Sequence, residues 1–244
     1  MNALSQDLSG PDAADLAAAS LAMARRFAHG ATLWCAAPSR PWLAAQMAAQ
    51  LAQPAVAGGL SLPVAVVAGQ LLESLRTRAS AGDVLLVVAP PAEPSVMGLS
   101  QRAAAWGVLT VWIGTGERPL AGAADYVLFS DLEETSSPAG GPIACFCHAL
   151  WEMTHTQLAN PGLLKDGGGE CNEEVCITCS DEGRLGEVVT LESDGLARVR
   201  TPSGLEMVDT SLVDGARTGD IVLIHAGSAL SIVLPKGSGS EEAP

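Results

Sequence analysis

Aromatic side chains are scarce in this chain, which has one Tyr, three Phe and five Trp among 244 residues. Hydrophobic residues nevertheless make up 48% of it, and Ala and Gly dominate, so the composition suits closely packed elements rather than a disordered polymer. Positive charge is also in short supply. Thirteen Lys and Arg face 27 Asp and Glu, giving a formal charge of −14. Binding to a phosphate backbone relies on clustered cations, so this balance argues against nucleic acid as a partner. Long apolar runs are missing too, and none approaches the ~20 residues that span a bilayer. Residues 1–9 have neither the basic start nor the hydrophobic core of an export signal. The expectation is a cytoplasmic protein with no membrane association, whose six cysteines remain thiols and leave metal binding open.

The length suits one domain of ordinary size and one small one. Charge marks the division: from Asp166 onward 15 acidic residues face 5 basic ones, so ten of the fourteen net negative charges fall in the last third. The pattern predicts an opening helix over residues 11–28, with Leu16, Leu21, Met23 and Phe27 among alanines. Apolar strand candidates at Ala31–Cys35, Leu62–Ala68, Asp83–Ala89, Leu109–Ile113 and Tyr126–Phe129 follow. Helical stretches reaching Leu51 and spanning Leu71–Arg78 and Ser95–Trp106 lie between them, and Ile143–Leu158 closes the region. Strands alternating with helices predict an α/β fold with a doubly wound, mainly parallel sheet over residues 1–160.

Pro161 and the run Gly167-Gly168-Gly169 give residues 161–175 the composition of a linker. Beyond it come short β candidates at Gly186–Leu191, Leu196–Thr201, Leu205–Asp209 and Asp220–His225, separated by Gly-containing turns. They predict a small all-β, OB-like barrel over residues 176–235, followed by a disordered tail at 236–244.

Gly59-Leu60-Ser61-Leu62-Pro63-Val64, Ala81-Gly82-Asp83-Val84, Trp106-Gly107-Val108, Ala124-Asp125-Tyr126 and His148-Ala149-Leu150-Trp151-Glu152 give the first region its resemblance to the SIS family and its sedoheptulose-7-phosphate isomerase branch. That resemblance implies sugar-phosphate binding by the loops after the strands. Here those loops depart from the family. Ala36-Ala37-Pro38-Ser39-Arg40 replaces a Gly-Asn-Gly-Gly-Ser type loop, and Ala89-Pro90-Pro91-Ala92-Glu93-Pro94 replaces a Ser-Thr-Ser-Gly loop. Proline has no amide to donate and Glu93 repels an anion, so loss of isomerase activity is expected. His148 and His155 share a helical face and are either remnants of an acid–base pair or structural histidines, the latter being favoured. Cys35, Cys145 and Cys147 read as core thiols.

Thr218-Gly219-Asp220-Ile221-Val222-Leu223-Ile224-His225-Ala226-Gly227 resembles the signature of the HypC/HupF family of hydrogenase-maturation chaperones. Leu185-Gly186-Glu187-Val188-Val189 stands where that family has Pro-Gly-Lys-Val-Val, and Asp209-Thr210-Ser211-Leu212-Val213 where it has Asn-Leu-Ser-Leu-Val. The resemblance implies an iron fragment, Fe(CN)2CO, carried in transit with a HypD-like scaffold protein and delivered to the precursor of the [NiFe]-hydrogenase large subunit. No nucleotide is implied. The family's histidine corresponds to His225, and its cysteine to Cys179 with a two-residue insertion. Cys176 adds a second thiol at CxxC spacing, a pattern also shared by redox pairs and half zinc sites. Homo-oligomerisation through the SIS-like domain is expected. A sugar-phosphate isomerase or sensor directed to hydrogenase maturation, and a scaffold that binds no metal, remain the alternatives.

Overall fold

The computed structural model describes residues 11–55, 57–91, 93–120, 122–131, 141–164 and 183–236. The first helix, α1 (Pro11–Ala28), buries Leu16, Ala19, Met23 and Phe27. It ends at Gly30, whose φ of +86° is one that residues with a side chain rarely adopt. Alternation follows: β1 (Leu33–Ala36), α2 (Pro41–Ala52), β2 (Val64–Val67), α3 (Leu71–Arg78), β3 (Val84–Val88), α4 (Pro94–Ala105), β4 (Leu109–Thr115), β5 (Tyr126–Ser130) and α5 (Pro142–Ala159). A 3-10 turn at Pro161–Leu164 continues from α5. Among the described residues no helix is long and apolar enough to cross a membrane.

The five strands form one parallel sheet in the order β2-β1-β3-β4-β5. Strand period decides which helices cover which face. Val84, Leu86 and Val88 of β3 pack with residues of α1, α2 and α5, whereas Leu85 and Val87 pack with α3 and α4. Every residue of β3 is buried, as a central parallel strand covered on both faces requires. The doubly wound α/β sheet expected from the sequence is therefore the fold of this part. Strand order reverses between β1 and β3, and the crevice that such a reversal creates opens at their C-terminal ends.

Five further strands, β6 (Arg184–Leu191), β7 (Leu196–Thr201), β8 (Gly204–Asp209), β9 (Ile221–His225) and β10 (Ser228–Leu234), close into a barrel in the order β10-β8-β7-β6-β9. Val188, Val199, Val208, Val222 and Ile224 fill its interior with small aliphatic side chains, as expected where aromatics are scarce. The sequence pattern identified four of the strands and missed β10. Its start depends on a two-residue turn, Ala226 at φ 48° and Gly227 at φ 81°, whose positive angles match a hairpin connection. Ala at the first of those positions is an uncommon signal. The tail expected at 236–244 falls, apart from Lys236, outside the described residues.

The barrel sits on the α3–α4 face of the sheet. Ile221 joins the apolar cluster of that face, with Leu185 and Leu234 packed against it. At its centre is the carboxylate of Glu187, 2% exposed, which accepts a hydrogen bond from Trp106 Nε1 at 2.8 Å and lies 3.4 Å from Arg76 Nε and 3.9 Å from Arg102 Nη1. Arg102 also donates to the carbonyl oxygens of Gly219 and, at 3.1 Å, Pro235. In the opposite direction, Arg200 of β7 donates to the carbonyls of Arg76 at 3.1 Å and Ala79 at 3.0 Å and lies over the Trp106 ring. Burial lowers the pKa of Arg102 and Arg200, and the nearby Glu187 partly opposes that shift.

The barrel has no spare volume beside Gly186, where an added Cβ would approach Val199 Cγ1 to 2.5 Å and Ile224 Cδ1 to 2.7 Å. Gly186→Ala is therefore expected to destabilise the protein by about 1–3 kcal/mol through overpacking. A denaturant titration checks this, and an unchanged midpoint would show that the barrel wall yields freely.

Candidate functional site

The candidate residues of the sequence direct attention to two places in this fold: the crevice at the β1 and β3 mouths, and the hairpin at the end of β9. At the crevice, both helices that begin at the strand ends carry proline in their first turn, and neither has a side-chain cap. In place of an incoming anion there is an internal one. Glu93 Oε1 accepts the Ser95 hydroxyl at 2.7 Å and Oε2 accepts the Ser39 hydroxyl at 3.1 Å. Two hydroxyls at the crevice thus bind a carboxylate at the start of α4, where the helix dipole favours negative charge. Alongside is a cavity of about 630 Å³ bounded by Pro38, Val66, Gln70, Leu71 and Arg102. Arg102, its only guanidinium among the described residues, already points its donors at the barrel.

The β9 hairpin is built by the residues of the Gly-Asp…His-Ala-Gly stretch. Gly219 supplies a φ of +94°, and the buried Asp220 carboxylate accepts the backbone N–H groups of Arg217 at 2.8 Å and Lys236 at 2.6 Å. This clamp ties the start of β9 to the chain leaving β10. After β9, the Gly227 carbonyl accepts the Asp209 N–H at 3.0 Å, and Ser228 bridges to Asp209, joining β10 to β8. The motif therefore closes the barrel, which gives Gly219, Asp220 and Gly227 structural roles.

His225 is the last residue of β9 and is half-buried. Antiparallel register pairs Arg184, at the start of β6, with Ile224 next to it. The chain that enters β6 therefore arrives at the end of the barrel that holds His225. Cys176 and Cys179 lie outside the described residues. Among the described residues no three His, Cys, Asp or Glu side chains gather to hold a metal ion.

The remaining candidates have structural surroundings. His155 is 3% exposed, and its Nε2 donates to the Leu51 carbonyl at 3.1 Å, fastening α5 to the end of α2 remote from the crevice. His148 is 60% exposed beside Gln50 and Glu152. Trp151 lies between the two imidazoles, with ring centroids 5.1 Å and 6.4 Å away. Cys35 and Cys147 share the apolar cluster under α1 and α5. Burial, and then the neighbouring Cys147, push the Cys35 thiol far above its ordinary pKa. The sequence pointed to none of Trp106, Arg102 and Glu187.

No family model matches the chain, and no curated protein does. Among solved structures it is similar to a phosphoheptose isomerase from Francisella tularensis, at 15% identity and a TM-score of 0.47, covering 59% of this chain and 86% of that one. It is also similar to the phosphoheptose isomerase GmhA from Neisseria gonorrhoeae, at 14% identity and a TM-score of 0.41, covering 64% and 87%.

Because the Cys35 thiol is buried and protonated, iodoacetamide at pH 8 is expected to label it at least about a hundredfold more slowly in the native protein than in denaturant. Peptide mass mapping after timed quenching measures this. Equal rates would mean that α1 and α5 open readily.

Proposed function

We propose that this chain is an accessory protein of [NiFe]-hydrogenase maturation whose barrel holds or passes an Fe(CN)2CO fragment, while its α/β part serves as a non-catalytic platform. The observation that carries the proposal is the hairpin at His225. The residues that resemble the HypC/HupF signature close the barrel, and the strand that follows Cys176 and Cys179 begins at Arg184, paired with Ile224, at the end of the barrel that holds His225. Iron bearing strong-field diatomic ligands favours a soft thiolate, which an imidazole can complete. In this reading Cys179, with Cys176 as the alternative thiol, and His225 bind the fragment as cargo. A HypD-like scaffold supplies it, and the hydrogenase large-subunit precursor receives it. The Glu93 carboxylate bound to Ser39 and Ser95 supports the view that the crevice no longer takes a sugar phosphate.

Anaerobic co-purification with such a scaffold protein is expected to give infrared bands of cyanide and carbon monoxide, lost in Cys179→Ala and weakened in His225→Ala. Bands that persist in both variants would overturn the ligand assignment. Absence of any complex would overturn the proposal.

A second reading, a sugar-phosphate isomerase or sensor, is favoured by one observation: the 630 Å³ cavity beside the β1 and β3 mouths. Steady turnover of sedoheptulose 7-phosphate by the purified chain would establish it, and none is expected.

A further inference from the structure

We infer that a second cavity, at the opposite end of the sheet from the crevice, binds a phosphate or diphosphate group. It encloses about 610 Å³ at the N-terminal ends of β1 and β3, and Arg25, Arg26, His29, Arg78, Trp34 and Asp83 are on its wall. This lies within the size range of small-ligand sites. Two separate helices supply the cations: Arg25 and Arg26 stand in the last turn of α1, and Arg78 ends α3. Arg26 and Arg78 thus bring guanidinium groups from different helices to one concavity in a chain with a net charge of −14.

Arginine at a helix C-terminus is favourable in itself, by about 0.3–1 kcal/mol. That accounts for each helix alone and does not require both sets to face one cavity. Nor does the local carboxylate account for Arg26 and Arg78. Asp83 is the only acidic residue on the wall among the described residues, and both its oxygens are occupied by other donors: Thr32 N at 2.8 Å on Oδ1, and Trp34 Nε1 and Ser80 N at 2.9 Å each on Oδ2.

The guanidinium groups are also held in place. Arg78 lies 4.8 Å from the centre of the Trp34 ring, a stacking that orients the fork and uses none of its five N–H donors. Arg26 places one of its own on the Gly107 carbonyl at 3.4 Å. His29 Nδ1 donates to the Arg25 carbonyl at 2.8 Å, which fixes the imidazole against the rim. Planar forks arranged around a concavity bind the paired oxygens of a phosphate better than a single carboxylate.

Titration calorimetry of the full chain with inorganic phosphate and with pyrophosphate, at low salt, tests the assignment. One-to-one binding is expected for at least one of them. Affinity should fall at least about tenfold in Arg78→Gln and in Arg26→Gln, less in Arg78→Lys, and not at all in Arg198→Gln on the barrel. Tighter binding of a phosphorylated sugar than of inorganic phosphate would identify an esterified ligand, provided that Arg78→Gln weakens it. Absence of heat with both anions, or binding indifferent to Arg78→Gln and Arg26→Gln, would overturn the inference. Because the readout requires no scaffold protein and no metal, its failure is distinct from failure of the maturation reading.

Discussion

The rest of this structure depends on the burial of one carboxylate, that of Glu187. Taking an ion out of water costs several kcal/mol even after relaxation, and the cost is offset only where opposite charge and donors surround it. Here most of those partners belong to the other part of the chain: Trp106 donates to it, and Arg76 and Arg102 neutralise it, with Arg200 of the neighbouring barrel strand adding positive charge. Arg102 and Arg200 are themselves buried enough for their charged forms to be disfavoured, so each ion in the cluster is tolerable only because the others are there. The fit between the surfaces is equally demanding. A Cβ on Gly107 would come within 3.0 Å of Pro202 Cα. Separating the two parts would expose Ile221, Leu185 and Leu234 and leave the glutamate without Trp106, Arg76 and Arg102.

That constraint also distributes function. With the barrel seated on α3 and α4, Arg102 turns from the crevice toward the carbonyls of Gly219 and Pro235. The crevice keeps a glutamate bound to its serines, and the barrel keeps a histidine at its closing hairpin. An α/β sheet of this kind concentrates ligand chemistry where its strand order reverses. In this chain that place is occupied by proline and an internal carboxylate. The concentrated positive charge lies at the other end of the sheet.

Periodicity made much of this legible. The run Asp83–Ala89 reads as a buried parallel strand because both faces are apolar, and β3 is such a strand. The loops after β1 and β3 announced their lack of donors through Pro38, Pro90 and Pro91. What stayed hidden depends on contacts between distant segments. Glu187 reads as one more acid in an acidic region until Trp106 and Arg102, more than eighty residues earlier, are brought against it. The strand β10 escaped notice because its start depends on Ala226 adopting a positive φ. The cavity around Arg25, Arg26 and Arg78 was invisible for a similar reason, since only the sheet brings the ends of α1 and α3 together.

A double-mutant cycle on Glu187 and Arg102 tests most directly whether this ion cluster joins the two parts into one unit. Glu187→Leu, Arg102→Met and the pair together would be compared by denaturant titration. If the cluster acts as described, each single change costs about 3–5 kcal/mol and the double change costs well below their sum, because neither ion is then left buried without its partner. Additive losses, or two unfolding transitions already present in the unaltered protein, would contradict the account.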